Sequence, residues 1–148
     1  MVGISWMRFL QFALLHLALS TAFAEKVPMA TLFHIVSRTD WKTHSDGKSY
    51  VPSSLTKEGY IHLSTNEQVL GTANRFFKGQ NDLLLLELSI PADDPKLKFE
   101  STEGDKNDRS SFFPHYYGKL KINSVRRILI LEPSPDGNFA FPSKNYEP

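Results

Sequence analysis

"GYIHLSTNEQVLGTANRFFKG", Gly59 to Gly79, changes its hydrophobic period halfway along. In "YIHLS" (60–64) the side chains alternate: Ile61 and Leu63 point one way, and Tyr60, His62 and Ser64 point the other. From Ser64 onward the spacing is helical, with Val69, Leu70, Ala73, Phe76 and Phe77 recurring on one stripe up to Gly79. Ser64-Thr65-Asn66-Glu67 is a capping-box pattern and predicts the main helix over about residues 65–78. A half-buried strand that runs directly into an amphipathic helix indicates an α+β domain.

The flanking sequence extends this reading. "TLFHIVS" (31–37) repeats the strand design, with Leu32, His34 and Val36 on one face and Phe33 and Ile35 on the other. "RTDWKTHSDGK" follows, and Thr39 or Asp40 is positioned to cap a shorter helix over about 39–46, anchored in the core by Trp41. "DLLLLELSI" (82–90) is a continuous apolar run, as in a central strand covered on both faces. "KLKFE" (96–100) alternates, with Leu97 and Phe99 expected inward and Lys96, Lys98 and Glu100 toward solvent or a cleft. Residues 101–111 contain no apolar side chain and read as a polar loop; "FFPHYYG" (112–118) reads as an aromatic loop, and "RRILILE" (126–132) as the last strand. The Pro- and Gly-containing tail 133–148 is expected to pack loosely through Phe139 and Phe141.

Residues 9–24, "FLQFALLHLALSTAFA", carry no Lys, Arg, Asp or Glu and end on Ala22-Phe23-Ala24, the small-x-small pattern of a secretory signal peptide. At 16 residues the stretch is short of the roughly 20 needed to cross a bilayer, which makes an N-terminal membrane anchor the second reading. Residues 1–24 are therefore expected to direct export, leaving 25–148 as one domain. Of the 17 Lys and Arg residues only Arg8 precedes Glu25, so 16 basic side chains face 16 acidic ones in that domain. Such a balance carries no signal for nucleic acid or an anionic membrane surface and suits a small-molecule nucleotide ligand better. The chain has no cysteine, which removes disulfides and a thiolate nucleophile, and it has no Asn-x-Ser/Thr sequon.

The chemistry must come from histidine. His34, His62 and His115 all lie in apolar surroundings, where a polar ring needs a partner or incurs about 1–3 kcal/mol of desolvation. Each alone is compatible with a packed structural imidazole; three together favour a shared cleft. An imidazole pair can act as general base and general acid, or bind ribose hydroxyls and phosphate oxygens. Ser64 and Thr65 add hydroxyls at a helix N-terminus where an anion can dock. Spacings of 28 and 53 residues between the histidines supply no metal-ligand pair from one helical face, so no metal is expected. No Gly-x-Ser-x-Gly elbow is present. Tyr117 or Phe113 can offer a flat face to a base, and Glu100 a carboxylate beside a developing oxocarbenium charge.

At these residues the chain resembles the family called domain of unknown function 952. The segments that carry the likeness are "LFHIV" (32–36), "SLTKEGYIHLSTNEQVLGTANRFFKG" (54–79), "DLLLLEL" (82–88), "KFE" (98–100) and "FFPHYYGKL" (112–120). The resemblance implies a compact fold similar to ADP-ribosyltransferases, in which a split, strongly bent sheet encloses a ligand cleft. It also implies kinship with a two-histidine group that includes the NAD-consuming RNA 2′-phosphotransferases. By position, His34 would contact the ribose of NAD, and His62 would take the second-strand place held by tyrosine or serine in other branches. Glu100, His115 and Tyr117 match the family's own pattern, whereas the catalytic glutamate of many transferases has no secure counterpart. The implied function is an NAD-using transferase with an unknown acceptor: His34, His62, Glu100 and His115 in the chemistry, and His34, Ser64, Thr65 and Tyr117 around the nucleotide. Two rivals stand beside it, a metal-independent histidine phosphoesterase and a nucleotide- or sugar-binding module without turnover.

Overall fold

The computed structural model describes residues 26–101 and 111–147. The expected signal peptide and nearly all of the expected polar loop lie outside the described residues. The chain forms a small α+β domain with three helices and several antiparallel sheets.

Strand β1 (Met29–Ser37) pairs antiparallel with β4 (Leu83–Pro91), and β4 pairs with β8 (Val125–Leu131). The apolar run 83–86 explains why β4 is central: Leu83, Leu84, Leu85 and Leu86 are all at most 3% exposed, on both faces of the sheet. The alternation expected for β1 is observed. Leu32 and Val36 enter one core with Tyr50, Ile61, Leu84 and Leu86, while Phe33 enters a second with Val69, Ala73, Leu85 and Leu129. Burying each such leucine stabilises the fold by roughly 1.5–3 kcal/mol.

A second sheet has the order β3 (Ile61–His62), β6 (Phe112–Tyr116), β5 (Leu97–Ser101). A two-stranded ladder, β2 (Ser49–Tyr50) with β7 (Leu120–Lys121), completes the pairing. One bridge joins the two larger sheets: Phe33 N–H donates to the Ser64 carbonyl at 2.9 Å, and Ser64 N–H to that of Phe33 at 2.8 Å. Pairing along the outer edge of β1 is confined to that bridge, and a cavity opens where the sheets part.

Helix α1 (Arg38–His44) starts one residue before the expected caps: Ser37 Oγ accepts from Asp40 N–H at 3.0 Å, and Trp41 packs on the first core as expected. Helix α2 (Ser53–Glu58) was not foreseen, although Pro52 ahead of it and Gly59 behind it (φ 88°) are a recognised start and stop pair. The main helix, α3 (Val69–Phe76), is shorter than the expected 65–78. The expected capping box is not formed; only its return half appears, one residue later, where the Gln68 side chain accepts from Thr65 N–H at 3.1 Å, and Val69 N–H reaches the Thr65 carbonyl at 3.0 Å. Residues 66–68 form a turn, with Val69 and Ala73 supplying the buried contacts of the helix.

Three further expectations are corrected. "FFPHY" is not a loop but β6, the middle strand of its sheet. Pro114 within it argues against a central strand on sequence alone, yet its carbonyl still accepts from Leu63 N–H at 2.9 Å. Phe99 is 49% exposed because β5 is an edge strand; only Leu97 turns onto the core. The tail is docked rather than loose. Phe139 is buried in the second core, its N–H donates to Asn74 Oδ1 at 2.7 Å, and Lys144 and Tyr146 bond backbone to backbone with Ile130 and Ile128 of β8. No described helix is long and apolar enough to cross a membrane.

Candidate active site

His34 projects from β1 into the first core and is 7% exposed. Its Nδ1–H donates to the carbonyl of His62 at 2.8 Å, an assignment set by the carbonyl, which can only accept. In the neutral ring Nε2 is then a lone pair. The nearby Tyr50 hydroxyl, at 3.3 Å, directs its own proton to Asp40 Oδ2 at 2.7 Å. Burial is the main reason that the His34 pKa falls to about 4, opposed by the His62 carbonyl and the Asp40 charge. His34 is thus neutral at physiological pH, with an acceptor nitrogen whose contact among the described residues, the Tyr50 hydroxyl, is long. Burial, and then Asp40, also push the Tyr50 hydroxyl well above its ordinary value, so Tyr50 stays a donor.

The other two histidines form a second constellation. The β3–β6 register sets His62 opposite His115, and the two rings lie nearly perpendicular with centroids 5.4 Å apart. Each ring has its own carboxylate. His62 Nε2–H donates to Glu58 Oε2 at 2.9 Å, because Gly59 ends α2 in the left-handed conformation and turns Glu58 back toward β3. His115 Nδ1–H donates to Glu100 Oε2 at 2.9 Å, and the same oxygen accepts the Tyr117 hydroxyl at 2.7 Å. These two donors, Tyr117 first, hold the Glu100 carboxyl below its usual range, and Glu100 raises Tyr117 in return. Tyr60 stacks on His115 with centroids 4.2 Å apart and meets His62 edge-on at 4.9 Å. The His62 side chain is 53% exposed and that of His115 only 7%.

A cavity of about 950 Å³ joins these elements. Its walls include His34 from the first sheet, Asp40 from α1, Tyr50 from the β2–β7 ladder, His62, Phe113 and His115 from the second sheet, Ser64 just beyond β3, and one face of α3. The three expected histidines are brought to one hollow. Ser64 also lines it, but its hydroxyl donates to Thr72 Oγ1 at 3.2 Å and its N–H is held by Phe33. Thr65 is not among the lining residues, and its N–H is taken by Gln68. The donors expected to receive an anion at the helix start are therefore engaged within the protein. Glu100 and Tyr117 lie behind His115 rather than on the wall; Tyr117 packs against Tyr60 and under the Lys98 ammonium, which sits 4.6 Å from its ring centroid.

Sequence reasoning missed Tyr50, Asp40, Glu58 and Tyr60. Glu58 had a signal, since it stands four residues before His62 across a glycine. Tyr50 had none, because its place beside His34 depends on the β2–β7 ladder. Gly71 lines the cavity from α3, and a Cβ there would meet no atom within 4 Å. Among the described residues, no group of three or more His, Cys, Asp or Glu side chains is placed to hold a metal ion.

Comparison with known proteins follows this geometry. The crystal structure of protein CC0527 from Caulobacter crescentus matches with a TM-score of 0.63 and 30% identity, over 75% of this chain and 94% of that one. A crystal structure of a double mutant of CC0527 gives 0.64 and 29% over the same shares, and its solution structure gives 0.62 and 30% over 73% and 90%. No curated protein matches the chain. The model of the family described as "Protein of unknown function (DUF952)" matches residues 35–128, a span that takes in His62, His115 and most of the cavity wall, and the chain belongs to that family.

Proposed function

We propose that the cavity binds an NAD-type dinucleotide and that the protein is a transferase of the ADP-ribosyltransferase-like kind. The observation that carries this reading is His34: a buried, neutral imidazole on the wall of a large cavity, with its Nδ1–H fixed on a carbonyl and its Nε2 lone pair poorly satisfied. Such a nitrogen selects a ligand hydroxyl as donor, as a ribose provides. The volume, about 950 Å³, is at the upper end of the 300–1,000 Å³ typical of small-molecule sites and suits a dinucleotide better than a single base.

The other residues then have defined tasks. Phe113 offers an aromatic face to a base. Asp40, held by the Tyr50 hydroxyl, supplies negative charge where a ribosyl oxocarbenium develops as nicotinamide departs. His62 contacts ribose or phosphate, or takes the proton of the acceptor. Glu100 acts through His115, whose ring it orients.

Calorimetric titration of the full chain with NAD tests the reading. Binding is expected for the wild type, with affinity at least tenfold weaker in His34→Ala and Tyr50→Phe and an unchanged unfolding cooperativity as the control for the fold. Absence of heat at millimolar NAD, or equal affinity in His34→Ala, refutes it.

A further inference from the structure

We propose that His62 and His115 are a general base and general acid that together cleave ribonucleotide phosphodiesters by attack of the neighbouring 2′-hydroxyl, an activity separate from NAD binding. The pair has the required parts. Two imidazoles sit across one strand pairing, 5.4 Å apart between centroids, and both line the cavity. Each donates one ring N–H to a carboxylate, which fixes the tautomer and leaves the other nitrogen for chemistry: Nδ1 of His62 and Nε2 of His115.

The roles follow from the surroundings. His115 is enclosed, stacked on Tyr60, and bonded to a carboxylate that also accepts from Tyr117, so an imidazolium there is held by a neighbouring anion. It is the acid. His62 is half in solvent, with Glu58 behind it; it is the base.

The substrate class follows from what the chain lacks and what the cavity reads. There is no cysteine, and the Ser64 hydroxyl is buried and engaged with Thr72, so neither supplies the nucleophile; in the proposed reaction it is a hydroxyl of the substrate. His34 accepts from a ribose hydroxyl on the same wall. An imidazolium at His115 together with Arg75 balances Asp40 and Glu67, the carboxylates of the lining.

In the step, His62 Nδ1 takes the 2′-hydroxyl proton as that oxygen bonds to phosphorus. The bond from phosphorus to the 5′-oxygen breaks, and the departing oxygen takes the proton from His115 Nε2–H. The products are a 2′,3′-cyclic phosphate and a free 5′-hydroxyl. One proton is gained at His62 and one lost at His115, no water or metal is consumed, and solvent exchange restores both rings.

The test incubates the full chain with the dinucleotide uridylyl-(3′→5′)-adenosine, alongside its 2′-deoxy counterpart, and follows products by chromatography. Cleavage of the ribose compound alone, unaffected by EDTA and with a bell-shaped pH profile, is expected. His62→Ala, at a half-exposed position that leaves the core intact, should lower the rate on the order of 10²–10⁴-fold. Glu58→Gln, which keeps the hydrogen-bonding shape, should shift the limb of the pH profile that belongs to the base. Cleavage no faster than that of the deoxy compound, a His62→Ala rate within threefold of wild type, or abolition by EDTA overturns the proposal. NAD titration on the same samples separates the two readings: NAD binding without cleavage removes only this activity, and cleavage without NAD binding removes only the transferase.

Discussion

Acidification should destabilise this domain in large part through His34. The unfolded chain takes up a proton on this ring near 6.5, whereas the folded chain does so only near 4, with burial the main cause. Between those values the unfolded state binds more protons, so stability present at neutral pH is lost as the pH falls through that window. The difference between 6.5 and about 4 sets an upper bound of about 3.4 kcal/mol, with about 2 kcal/mol gone by pH 5 and about 3 by pH 4. Against a total of about 5–15 kcal/mol this is a large share, and it corresponds to a Tm lower by about 8 °C at pH 5. Carboxylates contribute their own pH dependence, so the informative quantity is the difference between wild type and His34→Gln in urea unfolding at a series of pH values. Glutamine keeps a polar side chain near the His62 carbonyl but cannot titrate, so its offset from wild type should shrink by about 2 kcal/mol between about pH 7.5 and 5. Parallel stability curves for the two proteins would falsify the picture of a buried neutral imidazole. The same comparison bears on function, since a charged His34 loses the lone pair assigned to the ligand hydroxyl.

Other outcomes follow from the same geometry. Gly71→Ala should raise stability by up to about 1 kcal/mol, because a helix gains from alanine and the new Cβ meets open space; Gly71→Leu should place a side chain in the cavity and weaken NAD binding at least tenfold by calorimetry while leaving the fold intact. Gly59→Ala, at φ 88°, should cost roughly 1–2 kcal/mol in urea unfolding and pull Glu58 away from His62, visible as changed His62 ring chemical shifts by NMR. Phe139→Ala should cost about 3–5 kcal/mol and expose the backbone amides of Ile130 and Tyr146, which bond across the β8–tail pairing, to faster hydrogen exchange, since the tail is pinned by that ring and by Asn74.

Local pattern carried much of this protein. Alternation alone assigned Leu32 and Val36 to one face of β1 and Phe33 to the other, set Ile61 and Leu63 inward with His62 outward, and marked β4 as the strand covered on both sides; these depend on a period of two and on burial, both written residue by residue. The same logic erred where context overruled it. Phe99 alternates correctly yet faces solvent because β5 ended up at an edge, and Pro114 lies in a middle strand at the point where the β3–β6 ladder ends, its carbonyl still accepting from Leu63 while its nitrogen has no proton to return.

That three histidines would share one hollow was legible, but how they are partnered was not. His62 meets His115 only because β3 and β6 pair across 53 residues, and Glu58 reaches His62 through a turn made by one glycine. Tyr50 finds His34 through a two-residue ladder, and the cavity exists because pairing between the larger sheets is confined to a single bridge at Phe33 and Ser64. Strand faces and helix starts follow from interactions within a few residues of chain; neighbours, carboxylate partners and hollows arise from long-range pairing, whose energy is shared among many contacts and is encoded at no one position.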